Sequence, residues 1–486
     1  MREPYMRLVH VVTLVFLCLL TAPAWADDGD DGLLDDILPP YEGPGHVGEP
    51  VEPGDDGTIL GFPAEGVTLL SWITVLELDP NSANANDCFG YVSPSGREYA
   101  IVGLSDSTAF VEITDPVNPV IVEIIPDGPS LWSDPKVYGH YCLNVNEDDS
   151  GTATALQVID LDDIDNGNVT LVGNFFLEFG GQQLRRSHNL TVNAASGFAY
   201  LSGPNIFGGR LVAVDLADPE NPQIAGVMEE ATYVHDAWVH TYTEGPYAGR
   251  EIAFCASGYS GLRIVDVTDK SDMYTVSSLV YDGLGYCHHS WLREDEYYLF
   301  INDELDEYFG YVSTTTTYVV DVHDIDNPSM PTAFTNGSAA IDHNPLGRCD
   351  FLFEANYRSG VRIYDISDIG NVQEAGYFDT FPANDNPNFN AVWGVNPWLP
   401  SGVVIASDIE QGLFVFDAGD ATSNPANPRG DINHDGVVDG DDTALFVSAV
   451  MGLLTEHEDV HRADMNCDGK ADVEDVQKYV DVLLGV

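Results

Sequence analysis

Hydrophobic residues in this chain recur in short runs rich in β-branched and aromatic side chains, and most runs end in an acidic residue. Seven runs share one signature, and their last residues lie 44 to 55 positions apart. Runs of this length and composition are typical of β-strands, and no long helical periodicity competes with them. The seven are FVEIT (110–114), LQVID (156–160), LVAVD (211–215), LRIVD (262–266), TYVVD (317–321), VRIYD (361–365) and LFVFD (413–417).

Each signature stands inside a predicted unit of four strands. In the third unit, residues 188–192 and 198–201 form a hairpin around a turn at 193–197. A turn rich in Pro and Asp, such as TDPVNP at 114–119, then leads to an outer strand, because Pro fixes φ and Asx side chains bond nearby backbone. Units of about 50 residues with four antiparallel strands indicate a β-propeller. We therefore predict an all-β fold, a seven-bladed β-propeller at 66–418.

The seventh unit lacks an outer strand, because the chain enters a polar linker at 419–429 directly after LFVFD. The stretch TLLSWITVLEL at 68–78 precedes the first unit and has the pattern of a strand. We expect it to complete the seventh blade, which closes the ring and leaves few free edges. Residues 27–65, rich in Asp, Gly and Pro, are predicted to be a disordered acidic spacer.

The first 26 residues combine a short basic lead, an apolar run at 8–20 and a small-residue site ending at Ala26, the pattern of a secretory signal peptide. No later run reaches the roughly 18 apolar residues of a membrane span. With 18 basic and 79 acidic residues, the net charge of -61 argues against nucleic acid and anionic membranes as partners. It suits divalent cations or simple solubility. We expect an extracellular or cell-surface associated protein.

Six cysteines follow the leader, and about 15 pairings are open to them. The absence of a CxxC spacing argues against a cysteine zinc site. They are Cys88, Cys142, Cys255, Cys287, Cys349 and Cys467.

Two acidic loops in the tail, at 431–442 and 464–475, have oxygen side chains at positions 1, 3, 5, 9 and 12 and Gly at position 6. Calcium accepts six to eight oxygens, the Gly allows the sharp turn, and position 7 offers its carbonyl. Apolar helices are predicted at 445–454 and 476–484, in a calcium-binding domain at 430–486 that folds only with metal. Two calcium ions are predicted, one held by Asp431, Asn433, Asp435, Val437, Asp439 and Asp442, the other by Asp464, Asn466, Asp468, Lys470, Asp472 and Asp475.

Histidines and carboxylates of the propeller are predicted to meet at one rim. In a hairpin, the start of the first strand and the end of the second lie at the same end of the sheet, and CHHSWLREDEYYLFINDELDE (287–307) holds both places. Three interpretations stay open: a zinc, manganese, iron or copper site, a rim for a small ligand or glycan, and histidines that only satisfy nearby backbone groups. The candidates are His188, His235, Asp236, His288, His289, Asp303, Glu304, Asp306, Glu307, Asp342, His343 and Glu410.

The stretch LRIVDVTDK (262–270) resembles the LVIVD repeat, and residues 67–417 are similar to the secreted "choice-of-anchor B" family. This resemblance implies a propeller and an extracellular setting, with no established reaction. It also rests on SHN (187–189), VHD (234–236), IDHN (341–344), FPANDNPNFN (381–390) and IEQGLFVF (409–416).

The paired loops, each followed by a helix, resemble a type I dockerin. The resemblance implies attachment to a cohesin-like or cell-surface partner. Dockerins read their partner largely through loop positions 10 and 11, which are often Ser-Thr-like. Here these positions hold Gly440-Asp441 and Val473-Glu474, a departure from the cellulosome pattern.

The leading functional prediction is a secreted, calcium-binding propeller that acts as a binding or scaffold protein, attached through its dockerin-like tail. The alternative is a secreted metal-dependent hydrolase or lyase, with the histidine and carboxylate rim as its site. No G-x-S-x-G elbow, P-loop, HExxH or dinucleotide fingerprint occurs in a suitable context.

Overall fold

The computed structural model describes residues 37–148, 156–423 and 425–485. Its main body is a ring of seven antiparallel sheets, each built on four strands. The first strand of each sheet lines the axis and contacts the first strands of both neighbouring blades. The predicted seven-bladed β-propeller is confirmed.

The N-terminal part of the described chain supplies the outermost strands of blades six and seven. Its elements are β1 (Thr58–Ile59), β2 (Phe62–Glu65), β3 (Thr68–Ile73) and helix α1 (Val75–Leu78).

Strand β3 completes the seventh blade, as predicted, by pairing with the LFVFD strand, from Thr68 opposite Asp417 to Ile73 opposite Leu413. The strand ends before residue 78 because Thr74 starts α1. The Thr74 hydroxyl accepts a hydrogen bond from Glu77 N, and the Glu77 carboxylate accepts one from Thr74 N, a capping box.

Residues 37–65 are ordered, so the predicted disordered spacer is wrong from residue 37 onward. Strand β2 extends the sixth blade by pairing Ala64 with Phe378. Ile59 is fully buried, and Phe62 packs edge-on against Trp72. These few apolar side chains enter the core between blades six and seven, which offsets the polar composition of the segment. The signal peptide and residues 27–36 lie outside the described residues.

Blades one to three follow in chain order, with a short hairpin between the second and third. Blade one comprises β4 (Ala85–Val92), β5 (Glu98–Leu104), β6 (Ser107–Glu112) and β7 (Val120–Pro126). Blade two comprises β8 (Ser133–Tyr138), β9 (Tyr141–Asn146), β10 (Leu156–Asp160) and β11 (Thr170–Phe175). The hairpin is β12 (Leu177–Phe179) and β13 (Gln182–Leu184), and blade three comprises β14 (Asn189–Asn193), β15 (Phe198–Ser202), β16 (Val212–Asp215) and β17 (Gln223–Val227).

Blades four to seven repeat the arrangement. Blade four comprises β18 (Asp236–Thr241), β19 (Glu251–Ala256), β20 (Leu262–Asp266) and β21 (Tyr274–Leu279). Blade five comprises β22 (Cys287–Leu292), β23 (Tyr298–Asp303), β24 (Thr317–Asp321) and β25 (Ser329–Phe334), with helix α2 (Asp306–Phe309) after β23. Blade six comprises β26 (Asn344–Arg348), β27 (Phe351–Ala355), β28 (Val361–Asp365) and β29 (Gln373–Phe378), and blade seven comprises β30 (Val392–Asn396), β31 (Val403–Asp408) and β32 (Gly412–Asp417) together with β3.

The tail is a small helical module. Phe446 stacks on Tyr479 at its centre, with ring centroids 3.9 Å apart. Its first helix begins two residues earlier and ends four residues earlier than predicted, and the middle helix was not predicted. The helices are α3 (Gly419–Thr422) in the linker, then α4 (Thr443–Val450), α5 (His457–Ala463) and α6 (Val476–Leu484). Among the described residues, no helix is long and apolar enough to cross a membrane.

The tail is tied to blade six by covalent and ionic contacts. Cys349, in the turn between β26 and β27, forms a disulfide with Cys467 of the second acidic loop. Arg429 lies 3.0 Å from both the Asp350 carboxylate of the propeller and the Asp464 carboxylate of the tail. The other described cysteines, Cys88, Cys142, Cys255 and Cys287, are free and buried.

Candidate functional site

Four histidines of consecutive blades form an arc around one end of the channel. His188 and His235 have ring centroids 4.2 Å apart, His235 and His288 are separated by 4.1 Å, and His288 and His343 by 4.3 Å. All four side chains are buried. We call these residues the histidine arc. Their convergence agrees with the rim expected from the hairpin geometry.

Three rings of the arc are held by backbone carbonyls of the next blade. Nδ1 of His235 lies 3.0 Å from His288 O, Nδ1 of His288 lies 3.2 Å from His343 O, and Nδ1 of His343 lies 2.8 Å from Trp393 O. A carbonyl only accepts, so each Nδ1 carries the proton. In the neutral ring, Nε2 is then an acceptor with its lone pair directed away from that carbonyl. Metal-binding histidines in proteins are commonly oriented in this way.

Glu304 faces two of these Nε2 atoms. Its Oε2 lies 3.7 Å from His288 Nε2, and its Oε1 lies 3.7 Å from His343 Nε2. Both distances are too long for hydrogen bonds. Two ligands of a tetrahedral ion bound at about 2.05 Å are separated by about 3.4 Å, so a small inward shift would suit one. Tyr357 donates a hydrogen bond to Glu304 Oε1 at 2.7 Å and so orients the carboxylate.

Burial keeps His288 and His343 uncharged. It lowers the pKa of His343 to about 3 and the pKa of His288 well below its usual value, and repulsion between neighbouring imidazoles acts in the same direction for His288. Tyr286 packs edge-on against His235, and Trp393 packs edge-on against His343, so aromatic rings cover the site. Neutral imidazoles are the form that binds a metal ion.

A β-bulge separates the two adjacent histidines of blade five. In the ladder Cys287 pairs with Asp303 and His289 pairs with Asn302, so His288 is the extra residue. A bulge re-aims side chains. His288 joins the arc, whereas His289 contacts Asp236 Oδ2 at 3.2 Å and Asn344 Oδ1 at 3.1 Å. Asp236 and His289 thus belong to a separate polar layer.

That polar layer contains a half-buried lysine that is absent from the predicted rim. Lys136 Nζ lies 2.9 Å from Asp87 Oδ2 and also contacts Asp134. Burial alone would raise the pKa of Asp87, but the charge of Lys136 and the hydrogen bonds with Asp134, Lys136 and Cys88 N together lower that pKa. The sequence signal that could have identified Lys136 was the presence of a lysine within an inner strand of a strongly acidic chain. Beyond the layer lies a cavity of about 140 Å³ with Trp238 and Trp398 in its wall.

Three further predicted residues form a second group. Oxygens of Asp306, Glu307 and Asp342 all lie within 4.8 Å of one another, and all three side chains are buried. Burial first, and then carboxylate repulsion, raises the pKa of Asp306 to about 7, the pKa of Glu307 to about 11, and the pKa of Asp342 well above its usual value. We call these residues the carboxylate triad.

Two predicted residues stabilise loops. Asp303 accepts hydrogen bonds from the backbone N–H groups of Gly285 and Tyr286, and from the Tyr281 hydroxyl at 2.7 Å. Glu410 accepts a hydrogen bond from Leu38 N at 3.2 Å and so binds the N-terminal segment. Both lie outside the groups described above. His188, at the end of the arc, bonds instead to Glu147 Oε1 through Nδ1 at 2.6 Å.

The tail loops have the same internal bonding. Asp442, at position 12, accepts hydrogen bonds from the N–H groups of Ile432, Asn433 and Asp439, and Asp475 accepts from Asn466 and Asp472. The position-6 glycines, Gly436 and Gly469, have φ of 86° and 85°, which other residues rarely adopt.

The donor set of these loops fits calcium. Besides Asp442 and Asp475, the oxygen-bearing side chains predicted to bind the ions differ in exposure. Asp435, Asp439 and Asp468 are exposed, Asn433, Asn466 and Asp472 are half-buried, and Asp431 and Asp464 are buried. Among the described residues, however, the tightest groups of possible metal ligands are those of the propeller. Arg429 also lies 3.0 Å from Asp464, at position 1, so an ion there would share that carboxylate with a guanidinium group.

Comparison with known proteins adds little. No family model and no curated protein sequence matches the chain. Among solved structures, a candidate 6-phosphogluconolactonase from Bacteroides uniformis is similar, with 13% identity and a TM-score of 0.44 over 66% of this chain and 88% of the other. So distant a similarity carries no argument about activity.

Proposed function

We propose that this protein is an exported metal-binding β-propeller that acts as a binding or scaffold protein. One transition-metal ion is held by His288, His343 and Glu304, and the calcium-binding tail attaches the propeller to its partner. The observation that carries the metal site is the pair of Nε2 atoms, fixed through Nδ1, that face the Glu304 carboxylate at 3.7 Å. The resemblance to the LVIVD-repeat "choice-of-anchor B" family and to a type I dockerin supports export and attachment.

Zinc is the ion that the ligands favour. Two imidazole nitrogens with one carboxylate are a common zinc set, and the residues around them already orient each ligand. Manganese prefers more oxygen donors, copper(II) prefers a tetragonal geometry, and iron(II), which shares this ligand set, needs further open positions around the ion. The site lacks cysteine, in agreement with the four buried free thiols lying elsewhere.

The space beside the arc favours binding over catalysis. The cavity lined by the histidine arc and Trp393 measures about 20 Å³. This volume holds one water molecule, whereas substrate pockets usually occupy about 300 Å³ or more. A hydrolase or lyase at this site would need the aromatic cover to open. We therefore place the metal-dependent enzyme second to the binding protein.

The tail offers a surface for attachment. A groove of about 200 Å³ runs between α4 and α6, and Val447, Met451 and Val480 are exposed along it. Exposed apolar residues of this kind suit a protein partner, cohesin-like or on a cell surface. Because Cys467 is bonded to Cys349, a partner bound to the tail would hold the propeller in one orientation.

Metal analysis of the full-length chain tests the propeller site. The protein is purified without chelator, dialysed against a zinc-containing buffer and then against buffer alone. We expect one zinc per chain, lost in His343→Gln and in Glu304→Gln. His240→Gln is the matched control, because His240 is a half-buried histidine that pairs with Glu296 away from the arc. Equal zinc content in all four proteins, or none in the wild type, contradicts the proposal.

A further inference from the structure

We propose that the carboxylate triad of Asp306, Glu307 and Asp342 binds a calcium ion that joins blade five to blade six. These residues are distinct from the His288–Glu304–His343 site and from the tail loops. Asp306 and Glu307 begin α2, directly after blade five's second strand, and Asp342 precedes the first strand of blade six. An ion between them would therefore connect the two blades.

The geometry of the triad fits calcium. One oxygen from each residue lies within 4.8 Å of the other two. Ligands bound to calcium at about 2.4 Å cannot be more than about 4.8 Å apart, and the three oxygens of the triad meet this limit. The groups bear only oxygen, which suits a hard cation better than zinc.

Buried oxygens without partners point to a missing ligand. Within the described chain, both oxygens of Glu307, Oδ1 of Asp306 and Oδ1 of Asp342 have no hydrogen-bond partner. Glu307 is 5% exposed, and Asp306 and Asp342 are fully buried. Buried polar atoms nearly always have a hydrogen-bond partner, so a buried oxygen without one indicates a bound ligand or a proton.

Asn302 extends the same wall. Its Nδ2 donates to Asp342 Oδ2 at 2.5 Å, and its Oδ1 is fully buried and without a partner in the described chain. Its carbonyl is a further oxygen of the kind that calcium accepts. No lysine or arginine of the described chain forms an ion pair with any triad residue. Only a bound cation or shared protons can offset three carboxylates in this position.

The test uses the full-length chain with both tail loops substituted, so that calcium bound at the triad is distinguished from calcium bound in the tail. All seven tryptophans precede residue 399, so tryptophan fluorescence reports the propeller and not the tail. In a background carrying Asp442→Asn and Asp475→Asn, the chelated protein is melted with and without added calcium. We expect calcium to raise the tryptophan-detected Tm by about 2 to 5 °C and equilibrium dialysis to find one calcium per chain.

Asp342→Asn and Glu307→Gln, each in that background, should abolish the calcium-dependent rise. Their calcium-free Tm should be close to that of the background, because each substitution replaces one acid of a crowded group by an amide of the same size. This readout separates loss of the ion from failure to fold. Asp282→Asn, which changes an exposed carboxylate shortly before blade five, is the control and should keep the full response.

A background protein that binds no calcium and melts at the same temperature with and without it would show that the triad shares protons instead, and would overturn the proposal. So would a calcium response that survives in both triad variants. Loss of zinc from the His288 site leaves this test unaffected, so the two metal proposals fail independently.

Discussion

Protonation of His461 should weaken the attachment of the tail to the propeller. His461, on α5, is buried at the interface, and burial lowers its pKa from 6.5 to about 4. Arg293 and Arg429 act in the same direction, whereas the hydrogen bond to Asp350 at 3.2 Å and the charge of Asp295 oppose it. The neutral ring is therefore the form that the folded interface prefers.

The direction and size of the effect follow from linkage. The folded pKa lies below the unfolded one, so the unfolded state binds more protons between pH 6.5 and 4, and stability falls as the pH drops through this window. Each pH unit below 6.5 changes the unfolding free energy by about 1.4 kcal/mol until the pH approaches 4. Between pH 7.5 and pH 5 the loss is about 2 kcal/mol from this residue alone.

Two optical signals make the loss measurable. The three longest described helices all lie in the tail, so circular dichroism at 222 nm follows the tail, while tryptophan fluorescence follows the propeller. Urea unfolding of the wild type and of His461→Gln is compared at pH 7.5 and pH 5 with calcium held constant. The stability advantage of the wild type in the 222 nm transition should shrink by about 2 kcal/mol at the lower pH.

His140→Gln is the matched control, because His140 is a half-buried histidine that pairs with Asp160 within blade two. Its difference from the wild type should not change with pH. If the difference between the wild type and His461→Gln is the same at both pH values, then the buried histidine is not neutral in the folded protein, and the reasoning is refuted.

Two further outcomes are expected. Replacing Cys349 and Cys467 by Ser removes a disulfide between residues 118 positions apart. The loss of this loop closure should reduce the free energy of unfolding by about 5 kcal/mol. The tail should therefore unfold at a lower urea concentration than the propeller. Coincident 222 nm and fluorescence transitions in this variant would contradict this. Lys136→Met leaves Asp87 and Asp134 buried without a cation and should cost about 3 to 5 kcal/mol in the fluorescence transition, partly recovered by adding Asp87→Asn. A loss below about 1 kcal/mol would show that water reaches the pair.

The fold was largely predictable because its determinants are local and repeated. Alternating apolar residues specify each strand, and turns rich in Pro and Asp end it. The recurrence of the signature every 44 to 55 residues then gives seven blades. The closure of the ring by β3 was also predictable from the sequence. The seventh unit lacks one strand, and a predicted strand precedes the first unit. The segment at 37–65 was mispredicted because its order depends on Ile59 and Phe62 meeting blades that are distant in sequence.

The candidate site was predictable in part. Hairpin geometry places the starts of the inner strands at one rim, and this rule is enough to bring His188, His235, His288 and His343 together. It does not distinguish neighbouring residues. Glu304 turns toward the histidines, whereas Glu307 turns toward Asp342, and nothing in the DELDE run signals this division.

The sequence alone determined the number of blades, the rim at which imidazoles and carboxylates collect, and the spacing of the tail loops, because each depends on a short-range periodicity of side chains. Only the tertiary structure decided which ligands face one another. The bulge that puts His288 and His289 in different layers depends on the register of two strands within blade five. The carbonyls that fix each Nδ1 and the choice of Cys467 as partner of Cys349 arise from contacts between residues of different blades or modules. Such contacts exist only once the ring has closed.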